Sequence, residues 1–209
     1  MLEQLVTFFV VLFVVVEPVS LIPVFAGLTE GASAGYKRKM ACKAVVIAGL
    51  ILVAFAFAGG ALLNVLGISL DAFRIFGGIM LFLIALDMVF VRQSGARTTT
   101  TSEEAEVRRR EDISVFPLAF PLIAGPGALA TVLLVTGSVS RASLLFWGQI
   151  AVVIVVLLTA LLAMLLTPQL MRVLGVTGAN VVSRLTGVIL GALAVQFVIN
   201  GLRGSLEGP

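Results

Sequence analysis

The sequence predicts an all-α membrane protein: six transmembrane helices forming two inverted three-helix repeats, with the first and fourth helices broken. Three observations predict it. Of the 209 residues, 60% are apolar and 12% charged, whereas a soluble domain carries roughly 25% charged residues. Six apolar stretches, 4–27, 44–63, 72–91, 115–137, 144–166 and 185–202, are long enough to cross a hydrocarbon core of about 30 Å. The single long polar stretch, RQSGARTTTTSEEAEVRRREDIS at 92–114, separates them three and three. The expected organisation is a first repeat at 1–91, a solvated cytoplasmic linker at 92–114 in which Glu104 and Arg108 can pair one turn apart, and a second repeat at 115–209.

The first span runs LVTFFVVLFVVV and then meets EPVSLIPVF at 17–25. Twelve helical residues cover about 18 Å, so Glu17 and Pro18 fall inside the bilayer. Proline lacks a backbone donor and clashes with the preceding turn, so Pro18 and Pro23 predict a broken helix. The chain opens MLEQ, without the basic start of a secretory signal, so the first span is expected to be retained. The second span, 44–63, is uninterrupted. The third carries Arg74 near its start and Asp87 deep in its second half. The fourth contains FPLIAGPGAL, where Pro121, Gly125, Pro126 and Gly127 predict a second break about as deep as the first. The fifth, 144–166, is again uninterrupted. The sixth carries Arg184 near its start, then GVILG at 187–191, a small-residue motif for close helix packing, and Gln196 and Asn200 on one face, suited to hydrogen bonds between helices.

The halves resemble each other. PVSLIP (18–23) and PLIAGP (121–126) share a Pro-x4-Pro spacing, VLG recurs at 65–67 and 173–175, and RIFGGIML (74–81) aligns with RLTGVILG (184–191), pairing Arg74 with Arg184, Gly77 with Gly187 and Ile79 with Ile189. A half with an odd number of spans is followed by an upside-down copy, the plan of many secondary transporters. The positive charges Lys37, Arg38, Lys39, Lys43, Arg92, Arg97, Arg108, Arg109, Arg110 and Arg172 fall on one side; Arg74, Arg141 and Arg203 fall on the other. The positive-inside rule then puts both termini outside the cytoplasm.

Broken backbone at mid-depth survives only where it is buried in protein or lines a wet cavity. A half-helix starting near Gly127 and Ala128 offers free N–H groups and a positive dipole end to a carboxylate. The carbonyls freed before Pro18, Pro23 and Pro126 can accept from an ammonium group. The expected ligand is a small zwitterion, and the expected binding residues are Glu17, Pro18, Ser20, Pro23, Pro121, Gly125, Pro126 and Gly127. Glu17 can hold an ammonium group, carry a coupling proton, or cap the broken backbone beside a wet vestibule. Asp87, Arg74 and Arg184 join it as coupling or gating candidates; pairing for Asp87 and snorkelling for the arginines are the alternatives.

Composition also excludes. There is no histidine, hence no Ser–His pair and no HExxH zinc site. The two deep acids, Glu17 and Asp87, lie in unlike motifs, so no aspartyl dyad is expected. The chain reads as no enzyme, with no cofactor and no metal. Cys42 is the one cysteine and forms no internal disulfide. No basic, aromatic-rich soluble face is available to nucleic acid.

The blocks FPLAFPLIAGPGALAT (116–131), LGISLDAFRIFGGIMLF (66–82) and SRLTGVILGALAVQFVINGL (183–202) resemble the MarC family, also called SnatA-like neutral amino acid transporters, over most of the chain. The family commonly has Asn or Asp before the first proline, and often Gly two residues after it; here those positions are Glu17 and Ser20. The resemblance implies a secondary transporter of small neutral amino acids (glycine, alanine, serine) in a bacterial or archaeal cytoplasmic (inner) membrane, driven by a proton or sodium gradient, with homo-oligomers left open. The residues alone reach an inverted-repeat transporter with a compact mid-depth site. A drug or lipid exporter, a flippase, a passive channel and a structural bundle are the alternatives.

Overall fold

The computed structural model describes residues 1–90, 112–137 and 139–207. Most of the 92–114 linker, including Glu104 and Arg108, lies outside the described residues. The described residues form seven helices: α1 (Leu2–Val16), α2 (Pro18–Leu28), α3 (Ala34–Val65), α4 (Leu70–Phe90), α5 (Pro126–Thr136), α6 (Leu144–Leu165) and α7 (Thr167–Glu207), which is broken at Gly175. An irregular double-proline segment, Ser114–Ile123, precedes α5. Five stretches are long and apolar enough to cross a membrane, counting α1 and α2 as one. The double-proline segment and α5, bent by 57°, make the sixth.

Both predicted breaks occur; the first lies just ahead of its Pro-x4-Pro pair, and the second includes its pair but begins earlier. The first is at Glu17, whose backbone is left-handed (φ 50, ψ 66). Pro18 then takes the first position of α2, where a missing N–H costs nothing. Pro23 sits inside α2 and does not end it; in that helix it removes only one bond to the first turn. The second break is longer. Phe116 (φ −127, ψ 126) and Phe120 (φ −133, ψ 129) are extended, because a following proline crowds the residue before it out of the helical region. The Leu118 and Ala124 amides donate five residues back, to Ile113 (3.3 Å) and Ala119 (2.8 Å). Pro126 then opens α5 after an extended Gly125. Pro18 and Pro126 therefore play the same part, each opening a helix of 11 residues.

α4 and α7 make the most extensive contact, and they run antiparallel: Asp71 lies beside Gly204, Ile75 beside Gly201, Gly78 beside Ala194 and Val198, and Ala85 beside Gly187 and Gly191. Lipid tails are as apolar as the side chains, so close packing of small residues, not water exclusion, holds such helices together. The GVILG motif is thus spent within the chain. Gln196 and Asn200 do not bridge helices as expected. They stand one turn apart on an exposed face of α7, and the Gln196 amide donates to Asn200 Oδ1 at 2.8 Å. α3 and α6 also pack antiparallel, with Gly49 against Leu157 and the Phe57 ring against Phe146 (5.0 Å) and Trp147 (6.1 Å). Between these pairs sit α1, α2, α5 and the double-proline segment, whose buried Phe8, Leu12, Phe25, Leu118 and Ile123 form the central core.

Candidate functional site at the helix breaks

The end of α1 meets the start of α5. A Cβ added to Gly127 would lie 2.5 Å from Leu81 Cδ2, 3.3 Å from Val15 Cγ1 and 3.5 Å from Ile84 Cδ1. Glycine is what lets the main chain come this close. Gly125 is equally constrained: a Cβ there would lie 2.3 Å from the Pro121 carbonyl oxygen. Together Val15, Ile84, Pro121, Gly125, Pro126 and Gly127 line a cavity of about 10 Å³, room for roughly one water molecule. Pro126 has no N–H, so the Gly127 and Ala128 amides are the donors that the first turn of α5 presents here. Thr131 donates to the Gly127 carbonyl at 2.8 Å, which turns its hydroxyl back into the helix. The cavity is a main-chain site with a positive helix end and apolar walls.

Glu17 is buried at 3% exposure, where α1 becomes α2. It is the one non-glycine residue with positive φ among the described residues. For an L-residue this conformation costs about 1–2 kcal/mol, strain of the kind that collects at functional sites. Pro18 is buried beside it, and Ser20 points to α7, donating to Ser183 Oγ at 3.0 Å. Pro121, Gly125, Pro126 and Gly127 therefore share the cavity wall, while Glu17, Pro18 and Ser20 form the neighbouring junction. Pro23 is half-buried along α2.

The gating candidates are dispersed. Arg74 holds Asp71, one turn before it, at 2.6 Å, near the end of the molecule that carries both termini. Arg184 is exposed on α7, and Asp87 is half-buried in the last turns of α4. None of the three lines the cavity. At the opposite end from the termini, Lys43 of α3 pairs with Asp112, which also accepts from the Ser114 amide at 2.9 Å. Lys43 first, then Ser114, holds the Asp112 carboxyl far below the usual carboxylate range. This cluster ties the start of the double-proline segment to α3.

Sequence reasoning missed the apolar partners Val15, Leu81 and Ile84, which carry no signal beyond their spacing in a uniformly apolar run. It also missed Ser183 and Gln149. Gln149 could have been found: it is one of two polar side chains, with Thr159, in the 22 residues of α6.

The family model described as "MarC family integral membrane protein" matches residues 2–206. The UPF0056 membrane protein YhcE of Escherichia coli is 37% identical over 96% of this chain and 93% of its own length. A UPF0056 membrane protein of Aquifex aeolicus is 38% identical over 95% and 92%. The archaeal relative MJ1677 of Methanocaldococcus jannaschii is 35% identical over 98% of both. No solved structure matches the chain.

Proposed function

The chain belongs to the MarC family of integral membrane proteins, and from that premise we propose that it is a secondary transporter of small neutral amino acids such as glycine, alanine and serine. One observation carries the reading. The second chain break lines a water-sized cavity that the last turn of α1, next to the first break, closes through Val15, and the N-terminus of α5 faces it. The amides and dipole of that terminus suit a carboxylate, and carbonyls released at the breaks suit an ammonium group. The small volume favours a ligand with little or no side chain once the walls part.

The packing supports two inverted repeats. Exchanging α1 for the double-proline segment, α2 for α5, α3 for α6 and α4 for α7 maps the main helix contacts onto each other. The α2–α7 contact becomes α4–α5, α3–double-proline becomes α1–α6, and α2–α6 becomes α3–α5; α3–α6 and α4–α7 map onto themselves. The relation extends to atoms. A Cβ on Gly78 would meet the Ala194 carbonyl and Val198 Cγ2; one on Gly187 would meet the Ala85 carbonyl and Val89 Cγ2. Residues 187, 194 and 198 each follow 78, 85 and 89 by 109 positions. In that register Arg74 corresponds to Ser183, so the matched arginines of the sequence alignment are one residue out of step.

In this reading a cleft at the termini end, lined by Arg74, Val135, Gln149 and Phe197, is the mouth of one access state, and rocking of the halves closes it and opens the other. Both termini lie outside the cytoplasm, a proton or sodium ion drives the cycle, and Glu17 is the coupling group. Counterflow in proteoliposomes tests the assignment. Labelled glycine or alanine exchanges, and Glu17→Gln changes the pH dependence. Exchange of a lipid or drug with no amino acid exchange rejects the assignment in favour of an exporter or flippase.

A further inference from the structure

At the end of the molecule that carries both termini, recesses of about 480 and 540 Å³ share Leu134, Val135 and Phe197 and form one cleft. It is separate from the cavity at the breaks, which lies about 12 Å away along α5, the rise from Gly127 to Val135. Its two ends differ in chemistry. One holds Glu3, Gln4 and Gln149; the other holds Arg74, Asn200 and Arg203.

Gln149 is 3% exposed. Its Nε2 donates to the Val135 carbonyl at 3.3 Å, in the last turn of α5, where carbonyls have no helical donor. That bond fixes which way the amide faces. Its Oε1 is buried and accepts no hydrogen bond, a costly state that a donor would relieve. With no surface open to solvent in this conformation, Oε1 meets an incoming N–H only once the Gln149 side chain turns toward the cleft it lines. At the other end Arg74 is already neutralised by Asp71, so the exposed Arg203 carries the positive charge of that wall.

We propose that this cleft is an entrance site for a zwitterion: the ammonium group goes to Gln149 Oε1, with Glu3 adding negative potential, and the carboxylate goes to Arg203. This rests on the amino-acid reading above and gives that substrate a second binding place. Opposite charges on opposite walls orient a dipolar ligand and raise its local concentration before it moves along α5.

The test is glycine counterflow with KM and kcat resolved for the wild type, Gln149→Leu and Arg203→Gln. Each variant raises KM about tenfold, the weight of one hydrogen bond to a charged group, and leaves kcat within about twofold. Gln149→Leu also removes the cap on α5. If it fails to fold, Arg203→Gln on the exposed wall decides the matter. Inhibition by glycinamide, which lacks the carboxylate, is equal in the wild type and Arg203→Gln. A wild type that exchanges glycine while Arg203→Gln keeps its KM overturns the entrance site alone. A wild type that exchanges no neutral amino acid overturns the transport reading and the entrance site with it.

Discussion

Glu17 sits in a left-handed conformation that asparagine tolerates far better than glutamate. Glu17→Asn is expected to be about 1 kcal/mol more stable than Glu17→Gln, since both remove the charge and only one suits the backbone. Thermal unfolding in detergent measures the difference. Gly127 makes the opposite case: an added methyl group meets Leu81 and Val15. Gly127→Ala is expected to cost about 1–3 kcal/mol and to fill the cavity. Gly27, on the exposed face of α2, has nothing within 4 Å of an added Cβ, so Gly27→Ala is expected to stabilise by about 0.5–1 kcal/mol. The broken backbone beside the cavity was legible at this scale, because Pro121, Gly125, Pro126 and Gly127 announce it by their chemistry. The conformation at Glu17 was not. Nothing in a glutamate predicts positive φ, and the two prolines after it drew the break a few residues too late.

Among the elements, the two kinds of end restraint make separate predictions. Lys43 and Ser114 stabilise the Asp112 carboxylate and lower its pKa. A lowered folded-state pKa contributes stability that is complete above the ordinary value and fades as pH falls below about 4. The wild type is therefore expected to lose stability over that acid range, and Asp112→Asn to lose the corresponding part of the dependence, as read from unfolding midpoints between pH 2 and 5. At the α4–α7 contact, a Cβ on Gly78 would lie 2.8 Å from a backbone carbonyl and 3.0 Å from a backbone nitrogen of α7. Backbone cannot turn aside, so Gly78→Ala is expected to cost about 2–3 kcal/mol. Gly187→Ala, pressed against Met88 Cβ at 2.8 Å, should cost a similar amount. The six spans were readable because their apolar lengths match the bilayer. The proposed pairing of the halves was harder to read. Matching arginines and prolines by eye favours registers that chemistry makes conspicuous, whereas in the proposed repeat Pro18 and Pro126 each open a helix and Gly78 and Gly187 make matching contacts.

For the molecule as a whole, the cleft brings Glu3 near one terminus and Arg203 near the other to the same end, the arrangement that six spans predict. Reporter fusions are expected to place both termini outside the cytoplasm and the basic linker inside; a cytoplasmic C-terminus contradicts the orientation. The small cavity, the open cleft on one side and the half-exchange symmetry of the contacts fit the proposed transporter with one mouth open. The most direct measurement is counterflow of labelled glycine into proteoliposomes carrying wild-type protein or Gly127→Ala. The expected result is exchange by the wild type and its loss, with the fold retained, when one methyl group fills the space between the breaks. Undiminished exchange by Gly127→Ala would contradict the account, because glycine would then be passing somewhere else.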